Sequence, residues 1–371
     1  MKIIQTPVRF YPFIGGVESY VYYISRELAK LDCNVKVICA NEPNSIYEET
    51  YNGIKIKRLH YITKVANTNI TPALPTTLLK EDYDIIHTHI PTPWSADWSN
   101  IISTIKNKPL ILTYHNNIIA TGKEDKIAQF YNNTALKLLL KKAKKIIITQ
   151  DNYINSPHLQ KYKQKTITIP NGVDTEKFKP QKEKTQKNTI FFLSVLDKYH
   201  KYKGLDYLLN AIKETKKTIP DVKLIIGGKG ELTQYYKDKA KKLGIKENTD
   251  FIGFIPEEKI TDYYNMAEIF ILPSISKEQE GFGIVLLEAQ SCQKPVITTN
   301  IVGIAQDIQK EETGIVIKPK DTKALTQAIK ELLLNKEKAE EMGKKGRQIV
   351  KKHYEWKKIA EQIKEVYEEI I

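Results

Sequence analysis

Two glutamates stand eight residues apart in 277-KEQEGFGIVLLEAQ-290, Glu280 before a glycine-flanked phenylalanine and Glu288 after an apolar run. IVLLEAQSC reads as a helix, and the first-turn N–H groups of a helix have no partners inside it. With the helix dipole they form an anion site, here at Ile284 and Val285, and small Gly281 and Gly283, flanking Phe282, let a phosphate approach the backbone. Carboxylates beside a phosphate make electrostatic sense only if they face something else, such as neutral hydroxyls. A sugar nucleotide has hydroxyls on both sides of its diphosphate. A glycosidase acid/base pair is the rival chemistry; such carboxyls lie about 5–9.5 Å apart, whereas eight helical residues span roughly 12 Å. Two plain surface glutamates remain the simplest alternative.

The elements that must hold these residues come as strand-then-helix alternation. MKIIQT, VKVICA, DIIHTH, PLILTYH and KIIIT read as Ile- and Val-rich strands in the first half, with helices such as 17-VESYVYYISRELAKL-31 and 126-KIAQFYNNTALKLLLKKAKK-145 between them. TIFFLSVL, VKLIIGG, AEIFILPS, KPVITTN and TGIVIKP repeat the scheme, with helices over 205–217, 231–243 and 321–334. The pattern predicts α/β architecture: two doubly wound parallel-sheet domains facing a cleft, with ligands beyond the carboxyl ends of the strands. We expect an N-terminal domain over 1–170, a linker over the Pro-, Lys- and Gln-rich 171–188, a second domain over 189–352, and a C-terminal helix over 353–371 returning to the first.

The 371 residues exceed what one core comfortably serves. Cys33, Cys39 and Cys292 form no CxxC pair and no disulfide framework, which suits a reducing compartment. No apolar run is long enough to span a bilayer, and the N-terminus lacks a signal-peptide pattern; the expected location is the cytoplasm, with peripheral contact at the inner membrane face. The formal net charge is +14, and residues 1–170 carry 22 Lys and Arg against 13 Asp and Glu. No nucleic-acid signature accompanies that charge. In 136-LKLLLKKAKK-145 the leucines and lysines read either as an interfacial face for anionic lipid or as a crossover helix packed on the sheet.

The chain resembles the retaining glycosyltransferases of family 4, whose EX7E signature matches Glu280 to Glu288. Other stretches agree in order: 15-GGVE-18, 84-DIIHTHIP-91, 111-ILTYHN-116, 169-IPNGVD-174, 202-YKGLDYLL-209, 227-GGKGEL-232 and 355-EWKKIAEQIKEVYEEI-370. The resemblance implies the GT-B fold and transfer of a sugar from a nucleotide donor to a lipid-linked, glycan or small-molecule acceptor, with no cofactor. It implies that Gly15 and Gly16 lie near the donor diphosphate or the acceptor. It places Lys203 on the donor phosphates, Glu280 on the transferred sugar and Glu288 on the ribose. His115 would lie beside the reacting sugar. We expect His89 to line the cleft and His87 to turn to the opposite strand face, which argues against zinc held by His87, His89 and His115. The 82-DYD-84 triplet imitates a metal motif but sits at a strand start, so no required metal is expected. Two departures stand out. The family's second phosphate-binding cation, an arginine, is replaced by Asp197, which leaves Lys198, His200 or Lys201 to supply the charge. And 301-IVGIAQD-307 differs from the usual GG-x-PE. A sugar-nucleotide epimerase or phosphorylase on the same fold, and a non-enzymatic binder of anionic membrane or nucleic acid, are the competing readings.

Overall fold

The computed structural model describes residues 1–371 except 14, 66, 117, 119–122 and 278, and except the side chains of 123–125, 127 and 182. The chain divides into a first unit, Met1–Asn171 with Trp356–Ile371, and a second, Gly172–Glu355.

The first unit contains β1 (Lys2–Thr6), β2 (Asn34–Ala40), β3 (Glu48–Tyr51), β4 (Ile54–Leu59), β5 (Thr63–Val65), β6 (Thr68–Ile70), β7 (Ile85–Ile90), β8 (Leu110–Tyr114), β9 (Lys145–Ile148) and β10 (Thr166–Thr168). Eight of them form one sheet in the order β10-β9-β8-β7-β1-β2-β4-β3, while β5 and β6 make a separate hairpin. Neighbours run parallel except the antiparallel β3–β4 edge. Both faces are covered. Helices Gly16–Lys30 and Trp356–Glu368 pack over Ile3, Val35, Val37 and Ile111 on one face. Helices Leu74–Lys80, Pro93–Ile105 and Ala135–Lys142 pack over Ile4, Ile86 and Leu112 on the other. A sheet buried on both sides explains why its central strands are apolar runs without alternation.

The second unit holds β11 (Thr189–Leu193), β12 (Lys223–Gly227), β13 (Thr249–Gly253), β14 (Ile269–Leu272), β15 (Val296–Thr299) and β16 (Gly314–Ile317). These are parallel throughout, in the order β13-β12-β11-β14-β15-β16. That is the doubly wound order whose direction reverses between the first and fourth strands, so a crevice opens at the carboxyl ends of β11 and β14. In the first unit the reversal falls between β1 and β7.

Three expectations are corrected. The helix expected over 126–145 is two helices, Lys123–Asn133 and Ala135–Lys142, broken at Thr134, whose φ and ψ are −121° and −87°. Asn132, Asn133 and Thr134 are weak helix formers, and Lys145 already belongs to β9. Segment 171–188 does not behave as a linker. Val173 and Phe178 are buried in the second unit's core, the Gln181 N–H donates to Asn265 Oδ1 at 2.7 Å, and Ser291 donates to the Phe178 carbonyl at 2.5 Å. The polar composition masks two apolar anchors spaced too irregularly to show a period. Finally, the C-terminal helix starts at Trp356 rather than at 353; Lys336–His353 is a separate helix of the second unit.

Candidate active site

At the β11/β14 reversal, the loop after β11 brings Lys203 and the loop after β14 brings Glu280. Lys203 Nζ lies 2.9 and 3.0 Å from the two Glu280 oxygens. Gly204 makes this approach possible: its φ is +80°, and a Cβ there would lie 2.0 Å from the Pro273 carbonyl oxygen. Any other residue would be strained and would push the loops apart. The Ile275 N–H donates to the Tyr202 carbonyl at 2.8 Å, which ties the loops directly. Ser274 donates to Glu280 Oε2, and the Gly281 N–H donates to Oε1 at 3.2 Å. Glu280 is only 3% exposed, and these groups supply the hydrogen bonds a buried carboxylate needs. Burial works against a charged Lys203, but the Glu280 carboxylate and Tyr202 outweigh it, and the ammonium pKa is raised.

Gly281 leads into the helix Ile284–Ser291. Gly283 caps it at φ +85°, where a Cβ would lie 2.6 Å from Val302 Cγ1. The Gly303 and Ile304 N–H groups donate to the Gly281 and Phe282 carbonyls at 3.0 and 3.2 Å. The divergent 301–307 stretch thus clamps the glycine loop through its backbone, while its Val302 and Ile304 side chains are buried in the same core as Phe282 and Leu286. Glu288, half-buried on the helix, accepts a 2.5 Å bond from the Tyr264 hydroxyl. Burial raises its carboxyl above the usual carboxylate range, against the pull of Tyr264 and Lys177. The two glutamates therefore have different partners: a cation and a hydroxyl for Glu280, a phenol for Glu288.

Asp197 has a structural task. Its carboxylate caps the 3₁₀ turn Lys198–Lys203, accepting from the His200 backbone and ring nitrogens at 2.8 Å each. Burial pushes its pKa up, but the His200 bonds outweigh that and hold it below its ordinary value. His200 is thereby committed to Asp197. Lys198 and Lys201 extend over the rings of Tyr199 and Tyr235, at 5.0 and 5.2 Å. Val195 and Phe254, just after β11 and β13, are 49% and 63% exposed.

In the first unit, Gly15 precedes the helix Gly16–Lys30 in extended conformation. A Cβ on Gly15 would lie 2.3 Å from Glu18 Oε2, whereas one on Gly16 would meet nothing within 4 Å. Glu18, whose carboxylate borders the Gly15 position, is buried against Arg9 at 3.2 Å.

The histidines correct one expectation. His87 and His89 share a face of β7; their ring centroids are 4.6 Å apart and both are fully buried. Residues i and i+2 of a strand point the same way, so alternation cannot separate them. A chain of contacts follows. Tyr367 Oη lies 2.6 Å from His87 Nδ1, and His87 Nε2 lies 2.7 Å from Thr113 Oγ1. Gln5 Oε1 lies 2.9 Å from His89 Nε2, and His89 Nδ1 lies 3.3 Å from His115 Nε2. All four nitrogens of His87 and His89 are thus engaged within the protein. Burial depresses the pKa of His87 and His115 to about 3 and that of His89 well below its usual value, so all three are neutral at pH 7. His115, just past β8, packs edge-on against Tyr20 at 4.7 Å. Asp82 and Asp84, of the 82–84 triplet, hold the Lys2 ammonium and backbone N–H.

Ser274, Tyr264, Gln5 and Tyr367 were not singled out by motif. A serine at the end of 267-AEIFILPS-274 and a tyrosine in a short helix carry no local signal. Only the fold brings them to Glu280, Glu288 and the histidines.

Comparison with known proteins agrees along nearly the whole chain. The "Glycosyltransferase Family 4" profile matches residues 14–177, and "Glycosyl transferases group 1" matches 173–349. The chain is 26% identical over 359 residues to the O-antigen chain mannosyltransferase C of Escherichia coli, covering 94% of this chain and 92% of that one. It is 26% identical over 368 residues to the phosphatidyl-myo-inositol mannosyltransferase of Mycobacterium leprae, covering 96% and 93%. The structure of Anabaena HepE in complex with UDP superposes with a TM-score of 0.79 at 18% identity over all of both chains. Two adjoining profile matches, end-to-end relatives and a shared architecture lead to one conclusion: the chain belongs to the group 1 and family 4 glycosyltransferases and is a sugar-transferring enzyme of GT-B fold.

Proposed function

We propose that the enzyme moves a hexose or related sugar from a nucleotide-diphosphate sugar to a lipid-linked, glycan or small-molecule acceptor, with retained anomeric configuration. The observation that carries this reading is the Lys203–Glu280 pair at the β11/β14 reversal, next to the N-terminus of helix Ile284–Ser291. The diphosphate would take the helix N–H groups and Lys203, with Glu280 left to a hydroxyl of the transferred sugar and Glu288 to the ribose. As the glycosidic bond breaks, negative charge grows on the leaving diphosphate, and a fixed ammonium there stabilises the transition state more than the ground state. The leaving phosphate oxygen takes the acceptor proton, so no separate base is required. Lys203 supplies the positive charge, and transfer is expected to survive a chelator unchanged. The neutral His115 imidazole is suited to bonding a sugar hydroxyl in the same protonation state throughout turnover. Gly16, open where a Cβ would sit, leaves space for substrate beside the first unit's loop. The HepE structure with UDP supports a nucleotide donor, and the names of the Escherichia coli and Mycobacterium leprae relatives support glycan or lipid acceptors. Three free, buried cysteines are in keeping with the cytoplasm.

The test is a thermal-shift screen against UDP-, GDP-, ADP- and dTDP-sugars, followed by NMR of the product anomer. Ligand at roughly 100 Kd stabilises by about 2.7 kcal/mol. No shift with any donor, or an inverted product, would refute the reading. Turnover of the donor without acceptor would favour an epimerase.

The two glutamates separate the roles. Glu288→Ala is expected to weaken free nucleoside-diphosphate binding by about 1.5–3 kcal/mol, the scale of a charged hydrogen bond, as measured by titration calorimetry. Glu280→Ala is expected to reduce kcat more than nucleotide affinity. A Glu280 variant with normal kcat and poor nucleotide affinity would mean the roles are exchanged.

A further inference from the structure

The second unit holds a cavity of about 220 Å³ at the amino edge of its sheet, opposite the edge that carries Lys203 and Glu280. Lys294, just before β15, and Glu268, just before β14, border it together with Thr185 and Cys292. Among the described residues Lys294 is the one buried lysine, 7% exposed. Its Nζ lies 2.8 Å from Thr185 Oγ1 and 2.9 Å from the Asn265 carbonyl oxygen. Both partners are neutral, whereas Lys203 has the Glu280 carboxylate. A buried ammonium without a counter-ion is unfavourable. A neutral amine has two hydrogens, which these two oxygens can accept, and its lone pair is then left for the cavity. Burial pulls the Lys294 pKa down to about 8, and Cys292 and Glu268 oppose this only in part. About a tenth of the side chain is therefore free amine at pH 7, against less than about one part in a thousand for an ordinary lysine. Nothing in the sugar-transfer reaction uses this amine.

We propose that Lys294 is a nucleophile acylated from this cavity by small uncharged thioesters.

The amine nitrogen attacks the thioester carbonyl carbon. The N–C bond forms, the C–S bond breaks, and the sulfur leaves with its electron pair and takes the amine proton as a thiol. The product amide is uncharged, as burial requires, and keeps one N–H for Thr185 or Asn265. An acetyl group is small against the cavity, and Leu332 and Ala339 give its methyl an apolar wall. Two features select the donor and the nucleophile. The lining carries Glu268 and Glu340 against Lys336, a balance that disfavours an anionic donor such as an acyl phosphate. Cys292 does not compete for the acyl group, because burial pushes its thiol up to about 12 and only a thiolate reacts. Thr185 lies in the 171–188 segment, so acylation also weakens one of the bonds that hold that segment to the second unit.

The experiment incubates the full chain with N,S-diacetylcysteamine at pH 7 and pH 9 and reads acetyl occupancy at each lysine by peptide mass spectrometry. At pH 7, Lys294 is expected to react about tenfold faster than the exposed lysines, or more. From pH 7 to pH 9 its rate is expected to rise about tenfold, following its free amine, while ordinary lysines gain about 100-fold. With acetyl phosphate the preference for Lys294 is expected to shrink. Ala339→Phe, which fills the cavity, is expected to abolish the preference while the unfolding midpoint shows the variant folded. Lys294 reacting no faster than the exposed lysines at pH 7, or gaining as steeply as they do by pH 9, would overturn the proposal; both results are read on the unaltered protein. So would a folded Ala339→Phe variant with the preference intact, and an undiminished preference with acetyl phosphate would overturn the uncharged donor.

Discussion

Lys203→Ala is expected to lower kcat by about 10²–10³-fold, the scale of one preorganised charge stabiliser, and to destabilise the second unit as well. Lys203 and Glu280 are 18% and 2% exposed at their side chains. Removing the cation leaves a buried carboxylate with, among the described residues, Ser274 and the Gly281 N–H as its donors. Breaking one half of a buried pair costs about 3–5 kcal/mol; the partial exposure of Lys203 puts the expected loss near the lower figure. A double variant separates the two effects. Lys203→Ala with Glu280→Ala removes both charges and is expected to regain much of the stability without regaining turnover. Denaturant titrations and steady-state rates of the four proteins close the cycle. If Lys198 or Lys201 also holds the phosphates, the loss falls at the mild end, and adding Lys201→Ala makes it worse. A Lys203→Ala enzyme at full rate would refute the site.

Mild acid is expected to weaken the first unit steeply. Burial depresses His87 and His115 to about pKa 3 in the folded protein, while an unfolded histidine titrates near 6.5. Their neutral, hydrogen-bonded state therefore contributes fully above pH 6.5. Below it the unfolded chain binds more protons than the folded one, so stability is lost as pH falls from 6.5 toward 3. The slope is about 1.4 kcal/mol per pH unit for each histidine, or about 4 kcal/mol for the two between pH 6.5 and 5. His89, shifted the same way, steepens it. Unfolding midpoints in denaturant at pH 7 and pH 5 measure the effect, and His87→Gln is expected to remove about one histidine's share of the slope. A wild-type protein equally stable at both pH values would mean the cluster is hydrated and protonated.

The neutral cluster also reaches from β1 to the C-terminal helix. Gln5 Nε2 donates to Tyr367 Oη at 3.1 Å across 362 residues. His115 is thus supported, through His89 and Gln5, by the last helix of the chain, which packs on the first unit beside helix Gly16–Lys30.

By itself, the sequence determined the strand–helix alternation, the parallel sheets, and the placement of Lys203, His115 and Glu280 just after strands. These are local properties, because hydrophobic periodicity and glycine punctuation act over a few residues. The 171–188 segment marks where that stops: its composition says linker, while Phe178 finds a core that no local pattern announces. Asp197 occupies the place of a cation in the family pattern, yet the structure uses it as a turn cap, a role fixed by where His200 falls. That His87 joins His89 follows from strand geometry, but its partners do not. Tertiary structure alone decided that Lys203 meets Glu280 77 positions away, that Tyr264 bonds Glu288, and that Tyr367 reaches His87. The physical reason is the sheet order. β11 lies beside β14 and β1 beside β7 only after crossover helices have packed on both faces, and hydrogen bonds between such distant residues depend on that register rather than on any spacing along the chain.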